Sequence, residues 1–153
     1  ESLLKHYWRN PQKTKESLRD GWMFTGDTYY RDTDGFFFCC GRSDDMLKVG
    51  GIWVSPFEVE SALMAESRVL EAAVVGWQDD AGLVKPKAFV VLQLGVSETS
   101  GLEAELQTFV KTRLAAFKYP RWIEFVDELP KTATGKIRRF KLRHDGVTSH
   151  VSD

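Results

Sequence analysis

Near the end of the chain the run Pro130-Lys131-Thr132-Ala133-Thr134-Gly135-Lys136 joins small, turn-forming side chains to a lysine. A flexible loop of this composition lets an ammonium approach an anion closely. Lysine suits phosphate or carboxylate because it is a compact charge on a long stem. The run is not a Walker A phosphate loop: Pro130 stands where that motif needs its first glycine, and Ile137 replaces its Ser or Thr. Its plainer reading is a solvated basic loop.

Three further features could take part in the same chemistry. In Thr25-Gly26-Asp27 an aspartate follows a glycine turn, where a carboxylate can accept both hydroxyls of a ribose. In Gly41-Arg42-Ser43-Asp44-Asp45, Arg42 offers a planar fork for ribose or phosphate oxygens, within a polar, bendable junction. Gly50-Gly51 lets a backbone or a thin ligand pass close by. Each also has an ordinary explanation: a turn aspartate, a surface ion pair and a strand kink. Lys131, Lys136, Arg138, Arg139, Lys141 and Arg143 form a basic cluster with no acid among them, yet no groove-reading motif or stacking aromatic accompanies it. The neighbouring Cys39 and Cys40 lack the spacing of a disulfide framework or of zinc ligands, and no metal site is expected.

These residues need elements to hold them. Two short charged segments, Ser2–Arg9 and Gln12–Arg19, read as surface helices. From Trp22 to Cys40 the composition turns aromatic and β-favouring, in runs separated by turn residues, which predicts two or three strands of a meander. So few strands cannot satisfy their buried face, so residues 1–43 read as the edge of a larger, β-rich body. From Asp44 onward the pattern is that of a self-contained α+β unit. Strands near Met46–Val49 and Ile52–Val54 flank the glycine pair. A helix opens at Ser55, with Pro56 at its first position, Glu58 completing a capping box, and Phe57, Val59, Ala62, Leu63 and Met64 on the buried face. Strands Glu71–Trp77 and Lys87–Leu94 follow, joined by a polar turn. A second amphipathic helix then carries Leu102, Leu106, Phe109, Val110 and Leu114. Trp122–Val126 is a further strand, Ile137 to Arg143 a short basic helix, and residues 144–153 a flexible tail. The expected fold is α+β, a small domain whose mixed, mainly antiparallel sheet is flanked by helices.

Composition bounds the rest. The 153 residues, 42% of them hydrophobic, can form one compact domain, or one domain and part of another. The 21 Lys and Arg against 22 Asp and Glu exclude a chain that is basic throughout. The apolar stretches Val69–Trp77 and Ala88–Leu94 are too short to cross a bilayer, and no charged-then-apolar leader is present. A soluble, cytoplasmic protein is expected, with no membrane or nucleic-acid partner. The first residue is Glu1 rather than Met, which reads as a piece of a longer protein.

The order of the motifs, Thr-Gly-Asp, Gly-Arg-Ser-Asp-Asp, Ser-Pro-Phe-Glu-Val-Glu and Pro-Lys-Thr-Ala-Thr-Gly-Lys, resembles the C-terminal third of the adenylate-forming enzymes. These are the acyl- and aryl-CoA synthetases, the luciferases and the adenylation domains of peptide synthetases. The resemblance runs from about Tyr7 to Arg143. Lys48–Pro56 and Lys118–Val126 look most like the benzoate- and hydroxybenzoate-CoA ligases, and medium-chain acyl-CoA synthetases share much of the second stretch.

The resemblance implies a two-step reaction in which a carboxylate and ATP, with Mg2+, give an acyl adenylate and pyrophosphate. CoA then displaces AMP. It implies that Asp27 binds the ribose hydroxyls, Arg42 the ribose or phosphate oxygens, and Lys136 the carboxylate and α-phosphate during adenylation. It makes Asp44 the hinge about which residues 44–143 turn as a mobile lid between half-reactions. The turn withdraws Lys136 and presents Gly50 and Gly51 to the pantetheine channel. Phe117, Lys118 and Lys111 fall where relatives contact the CoA nucleotide; at Trp53 some relatives carry a basic residue that touches phosphate. The family's phosphate loop, adenine site and acid pocket belong to the preceding N-terminal domain, so this chain alone is expected to be inactive and to hold no cofactor tightly. Lys136 is also an expected target of a lysine acetyltransferase and deacetylase. Two alternatives stand beside this reading: a medium-chain fatty acid CoA ligase, and a non-catalytic binding module with a basic C-terminal helix.

Overall fold

A computed structural model describes residues 4–148. The chain divides into two compact units, Glu1–Asp44 and Asp45–Asp153.

The first unit contains helix α1 (Pro11–Ser17) and strands β1 (Leu18–Arg19), β2 (Trp22–Met23), β3 (Asp27–Arg31) and β4 (Phe37–Arg42). β1 pairs with β2 and β3 with β4, as two separate antiparallel ladders. Asn10 caps α1 by accepting from the Lys13 amide at 3.0 Å, and Pro11 occupies the first helical position, which has no partner for an N–H. The helix expected over Ser2–Arg9 does not form over its described residues. Arg9 sits at φ 49°, a left-handed conformation that no right-handed helix accommodates. The second expected helix is also shorter than predicted, because Leu18 and Arg19 turn back through Asp20-Gly21 to pair with Met23 and Trp22. None of the described side chains of this unit is buried, and Trp8, Trp22 and Phe37 are 80%, 74% and 69% exposed. The unit holds its ladders together without a core of its own.

The second unit has a core. Hairpin strands β5 (Leu47–Val49) and β6 (Ile52–Val54) precede helix α2 (Pro56–Met64). Then come β7 (Val69–Gln78), β8 (Val84–Leu92), helix α3 (Leu102–Lys111), β9 (Trp122–Phe125) and helix α4 (Arg139–Thr148). β7 and β8 are antiparallel, whereas β9 returns through α3 to lie parallel to β8, with Ala88 opposite Ile123. This is the mixed sheet of a small α+β domain. Ala72, Ala73, Val74 and Val75 are all buried, without the alternation of a one-faced strand, because both faces of the sheet are covered. On one face Val59, Leu63, Leu102, Leu106 and Val110 of the two middle helices pack against Val74, Val90 and Ile123. On the other, Leu129, Ile137 and Leu142 pack against Val75, Phe89 and Val91.

Glutamates cap the two edge strands of this sheet. The Val74 amide of β7 donates to Glu60 at 2.8 Å, and the Ile123 amide of β9 donates to Glu103 at 2.9 Å. Edge amides left unpaired would invite other strands, so these contacts close the sheet. On α2 the buried face is narrower than the apolar pattern predicts. Phe57 and Met64 are 50% and 44% exposed, while the carboxylate-bearing Glu60 is buried. α4 starts two residues later than expected and continues to Thr148, past the proposed start of the tail at residue 144; residues 149–153 lie outside the described residues. No helix of the described residues is long and apolar enough to cross a membrane.

Candidate functional site

In the first unit the β3–β4 register sets Asp27 directly across from Arg42. The Arg42 Nη1 donates to the Thr25 carbonyl at 2.8 Å, and the guanidinium lies 3.6 Å from a carboxylate oxygen of Asp27 and 3.6 Å from one of Asp44. Gly26 sits at φ +79°, a left-handed conformation that favours glycine, and a Cβ on it would sit 3.0 Å from Arg42 Nη2 and push the guanidinium aside. The Ser43 amide and hydroxyl both donate to the Gly26 carbonyl, at 2.8 and 2.9 Å, which fixes the turn against the end of β4. The result is an open pocket of about 790 Å³ with Asp27, Arg42, Asp44, Thr25, Lys13 and Arg19 on its walls. It pairs an acceptor suited to hydroxyls with donors suited to phosphate, both side chains remaining partly solvated.

In the second unit the lysine-bearing run is a closed hairpin rather than the flexible loop its composition predicts. Lys131 bridges to Ile137, the Thr132 amide donates to the Lys136 carbonyl at 2.8 Å, and the Lys136 amide donates to Thr132 Oγ1 at 3.0 Å. At the base the Arg138 amide donates to the Pro130 carbonyl at 2.7 Å. Gly135 makes the turn at φ +81°. Ile137 packs into the core below, and the neighbouring Lys136 is exposed. Among the described residues no carboxylate meets the Lys136 ammonium. The hairpin is thus a hydrogen-bonded arm that ends in a positive charge with no ion-pair partner among the described residues.

The other basic residues are largely spoken for. Lys131 pairs with Glu71, Arg139 with Glu60 and Asp45, and Arg143 with Asp45. Three of the six basic residues are therefore matched by acids from distant segments, which thins the patch on which a nucleic-acid module would rest. Burial pushes the Glu60 carboxyl above the usual carboxylate range, with the Arg139 charge opposing it. Sequence reasoning missed Glu60, which it gave no place on the buried face of α2 and no role of its own. A carboxylate at a buried helical position, with an unassigned arginine elsewhere, was the available signal.

Gly50 and Gly51 form the two-residue turn of the β5–β6 hairpin, at φ +56° and +87°, and added Cβ atoms would meet nothing within 4 Å. Two successive positive φ values are the signature of the hairpin turn that favours glycine. The turn is smooth and open. Beside it Lys48 lies 5.8 Å from the ring centre of Trp53, which is 60% exposed. The Lys118 ammonium is held by both oxygens of Glu58 at 2.7 Å, Lys111 lies 4.0 Å over the Tyr119 ring, and Phe117 is 37% exposed. Among the described residues no group of three or more His, Cys, Asp or Glu is placed to hold a metal ion.

The small α+β domain with its mixed sheet can be set beside known proteins. The sequence profile described as AMP-binding enzyme C-terminal domain matches residues 58–136, and the chain belongs to that family. Over 137 residues it is 59% identical to a benzoate–CoA ligase of Thauera aromatica, a match covering 90% of this chain and 26% of that protein. It is similar to the crystal structure of an anthranilate CoA ligase in complex with anthranoyl-AMP, with TM-score 0.88 and 51% identity over 92% of this chain and 27% of that one. A benzoate CoA ligase from Burkholderia xenovorans LB400 gives TM-score 0.83 and 53% identity over 91% and 27%. The chain spans about a quarter of the length of the curated relatives it matches.

Proposed function

We propose that this chain is the C-terminal part of an aryl-CoA ligase of the benzoate type. The observation that carries this reading is the 59% identity to a benzoate–CoA ligase across 90% of the chain, including the Lys136 hairpin. In the whole enzyme a carboxylate oxygen of the acid bonds to the α-phosphorus of ATP, the bond to the β-phosphate oxygen breaks, and pyrophosphate leaves with Mg2+. The CoA thiolate then attacks the acyl carbon and AMP departs.

Lys136 stabilises the charge that gathers on the α-phosphate oxygens in the first step. An ammonium with no carboxylate partner among the described residues is available for that purpose. Asp27 takes the ribose hydroxyls and Arg42 the ribose or phosphate oxygens, a pairing supported by their cross-strand register. Asp44, at the end of the first unit, serves as the hinge. Gly50 and Gly51 border the pantetheine path, and Phe117, Lys118 and Lys111 lie toward the CoA nucleotide; for Lys118 that role requires CoA to compete with Glu58. Residues 1–43 belong to the edge of the preceding ATP- and acid-binding domain, a placement supported by the lack of any buried side chain among their described residues. Acetylation of Lys136 would remove the charge that the first step uses.

The test is acid-dependent ATP–pyrophosphate exchange and thioester formation by the full-length enzyme with benzoate, 4-hydroxybenzoate and hexanoate. Higher kcat/KM with an aromatic acid is expected. A preference for hexanoate would replace this reading with the medium-chain one. The chain alone is expected to show no exchange.

A further inference from the structure

We propose that Arg139 and Glu60 are positioning residues for Lys136, holding the hairpin that carries it through a buried clamp at the β7 edge of the sheet. This rests on the role given to Lys136 above. Among the described residues that lysine has no side-chain ion-pair partner, so its location is set by its backbone and by whatever holds the two legs of the hairpin.

One leg begins at Lys131, whose ammonium meets Glu71 of β7; the two side chains are 38% and 35% exposed. Pairs this open to water fix little. The other leg runs through Ile137 and Arg138 into Arg139, three residues beyond the lysine. Its guanidinium reaches Glu60 through Nε at 3.2 Å and Nη2 at 2.9 and 2.7 Å, and Nη1 reaches Asp45 at 3.4 Å. The Glu60 side chain is only 4% exposed, and the same Oε1 also accepts from the Val74 amide. Asp45 in turn accepts from Arg143 Nη2, one helical turn along α4, at 2.6 Å.

The clamp therefore joins α2, which packs on one face of the sheet, to α4, which packs on the other, through the backbone of the strand between them. A guanidinium held by a fork of this kind has a defined direction as well as a place. Loosening it frees the leg on which Lys136 is mounted, while the hydrophobic seating of Ile137 and Leu142 persists.

The experiment uses the full-length enzyme and measures the two half-reactions separately: acid-dependent ATP–pyrophosphate exchange, and thioester formation from pre-made acyl adenylate. Glu60→Gln and Arg139→Lys are expected to lower exchange about tenfold or more, since displacements near 1 Å can cost up to about 100-fold. Thioester formation should change by less than about threefold, because it does not use Lys136. Glu71→Gln should alter neither by more than about twofold. Equal loss of both half-reactions in folded variants, or exchange within threefold of the parent, overturns the proposal. If the single variants do not fold, Glu60→Gln combined with Arg139→Met removes both charges, keeps an acceptor for Val74, and is judged by the same two numbers. Lys136→Ala separates the two readings: if it retains exchange, the role of Lys136 fails and the positioning falls with it. If it alone loses exchange, only the positioning fails.

Discussion

Glu60 holds Arg139 by both carboxylate oxygens, at 2.9 and 2.7 Å, across 79 residues of sequence. Neither residue declares the other in the chain, yet their contact joins the two layers that sandwich the sheet. Removing one partner of a buried pair leaves a charge in a site that cannot solvate it. Glu60→Ala is therefore expected to destabilise the chain by about 3–5 kcal/mol. Glu60→Gln with Arg139→Met, which keeps an acceptor for the Val74 amide, should recover most of that loss, as followed by urea unfolding. A double variant no more stable than Glu60→Ala would contradict this account.

The same carboxylate gives a pH dependence with a definite sign. Because burial raises its pKa in the folded state, the fold retains a proton that the unfolded chain has already released in the interval above the usual carboxylate value. Stability from this group is complete below that interval, falls as pH rises through the raised pKa, and is level above. Relative to Glu60→Gln, the parent should lose stability on going from about pH 4 toward neutrality. Unfolding curves of both proteins at several pH values check it; a parent that gains on the variant would show that Arg139 outweighs burial.

Gly76 lies where a Cβ would meet Val84 Cγ1 at 3.0 Å and Leu47 Cδ2 at 3.2 Å. Leu47 of the β5–β6 hairpin and Val84 of β8 thus leave little room for a side chain here. Gly76→Val should cost about 1–3 kcal/mol through overpacking, with Gly76→Ala below it. Thermal unfolding orders the three proteins, and an unchanged midpoint for the valine variant would refute the fit.

Lys136→Ala in the full-length enzyme should reduce acid-dependent pyrophosphate exchange by about 100-fold or more, the scale on which removal of one transition-state charge contact operates. Thioester formation from pre-made acyl adenylate should survive. Acetyl-Lys136 should behave as the alanine variant does in exchange. Undiminished exchange by stoichiometrically acetylated enzyme, verified by mass spectrometry, would contradict the assignment.

At the β5–β6 turn, Gly51→Leu sets its Cβ where nothing lies within 4 Å but forces a side chain into a left-handed conformation, at a cost of about 1–2 kcal/mol. If the turn borders the pantetheine path, thioester formation should fall at least tenfold more than exchange. Equal effects on the two half-reactions would leave the turn a purely structural feature.

Much of this was legible in the chain. Ser55-Pro56 announced the start of α2, and the Ser55 hydroxyl does accept from the Glu58 amide at 3.3 Å. Leu102, Leu106 and Val110, spaced by helical turns, marked the buried stripe of α3. The order of Asp27, Arg42, Gly50-Gly51 and Lys136 pointed to the family, because motif order survives in local sequence and needs no coordinates. Composition misled at three places. Ser2–Arg9 carries helix-compatible residues, but the backbone at Arg9 turns left-handed before Pro11. Phe57 and Met64 extend the apolar pattern of α2 beyond the face that the sheet covers. The Thr and Gly residues of the lysine loop suggested mobility, whereas their hydroxyls and amides close on one another.

Residue type and spacing nominated the side chains proposed for phosphate chemistry, marked most elements of the second unit, and pointed to the family the chain joins, since these depend on neighbours a few positions apart. The tertiary structure decided which charges are free. Lys131, Arg139 and Arg143 look equivalent to Lys136 along the chain, but folding brings Glu71, Glu60 and Asp45 to the first three and none of the described carboxylates to the last. Pairing across 60 to 98 residues follows from how the layers pack, and local pattern holds no record of it.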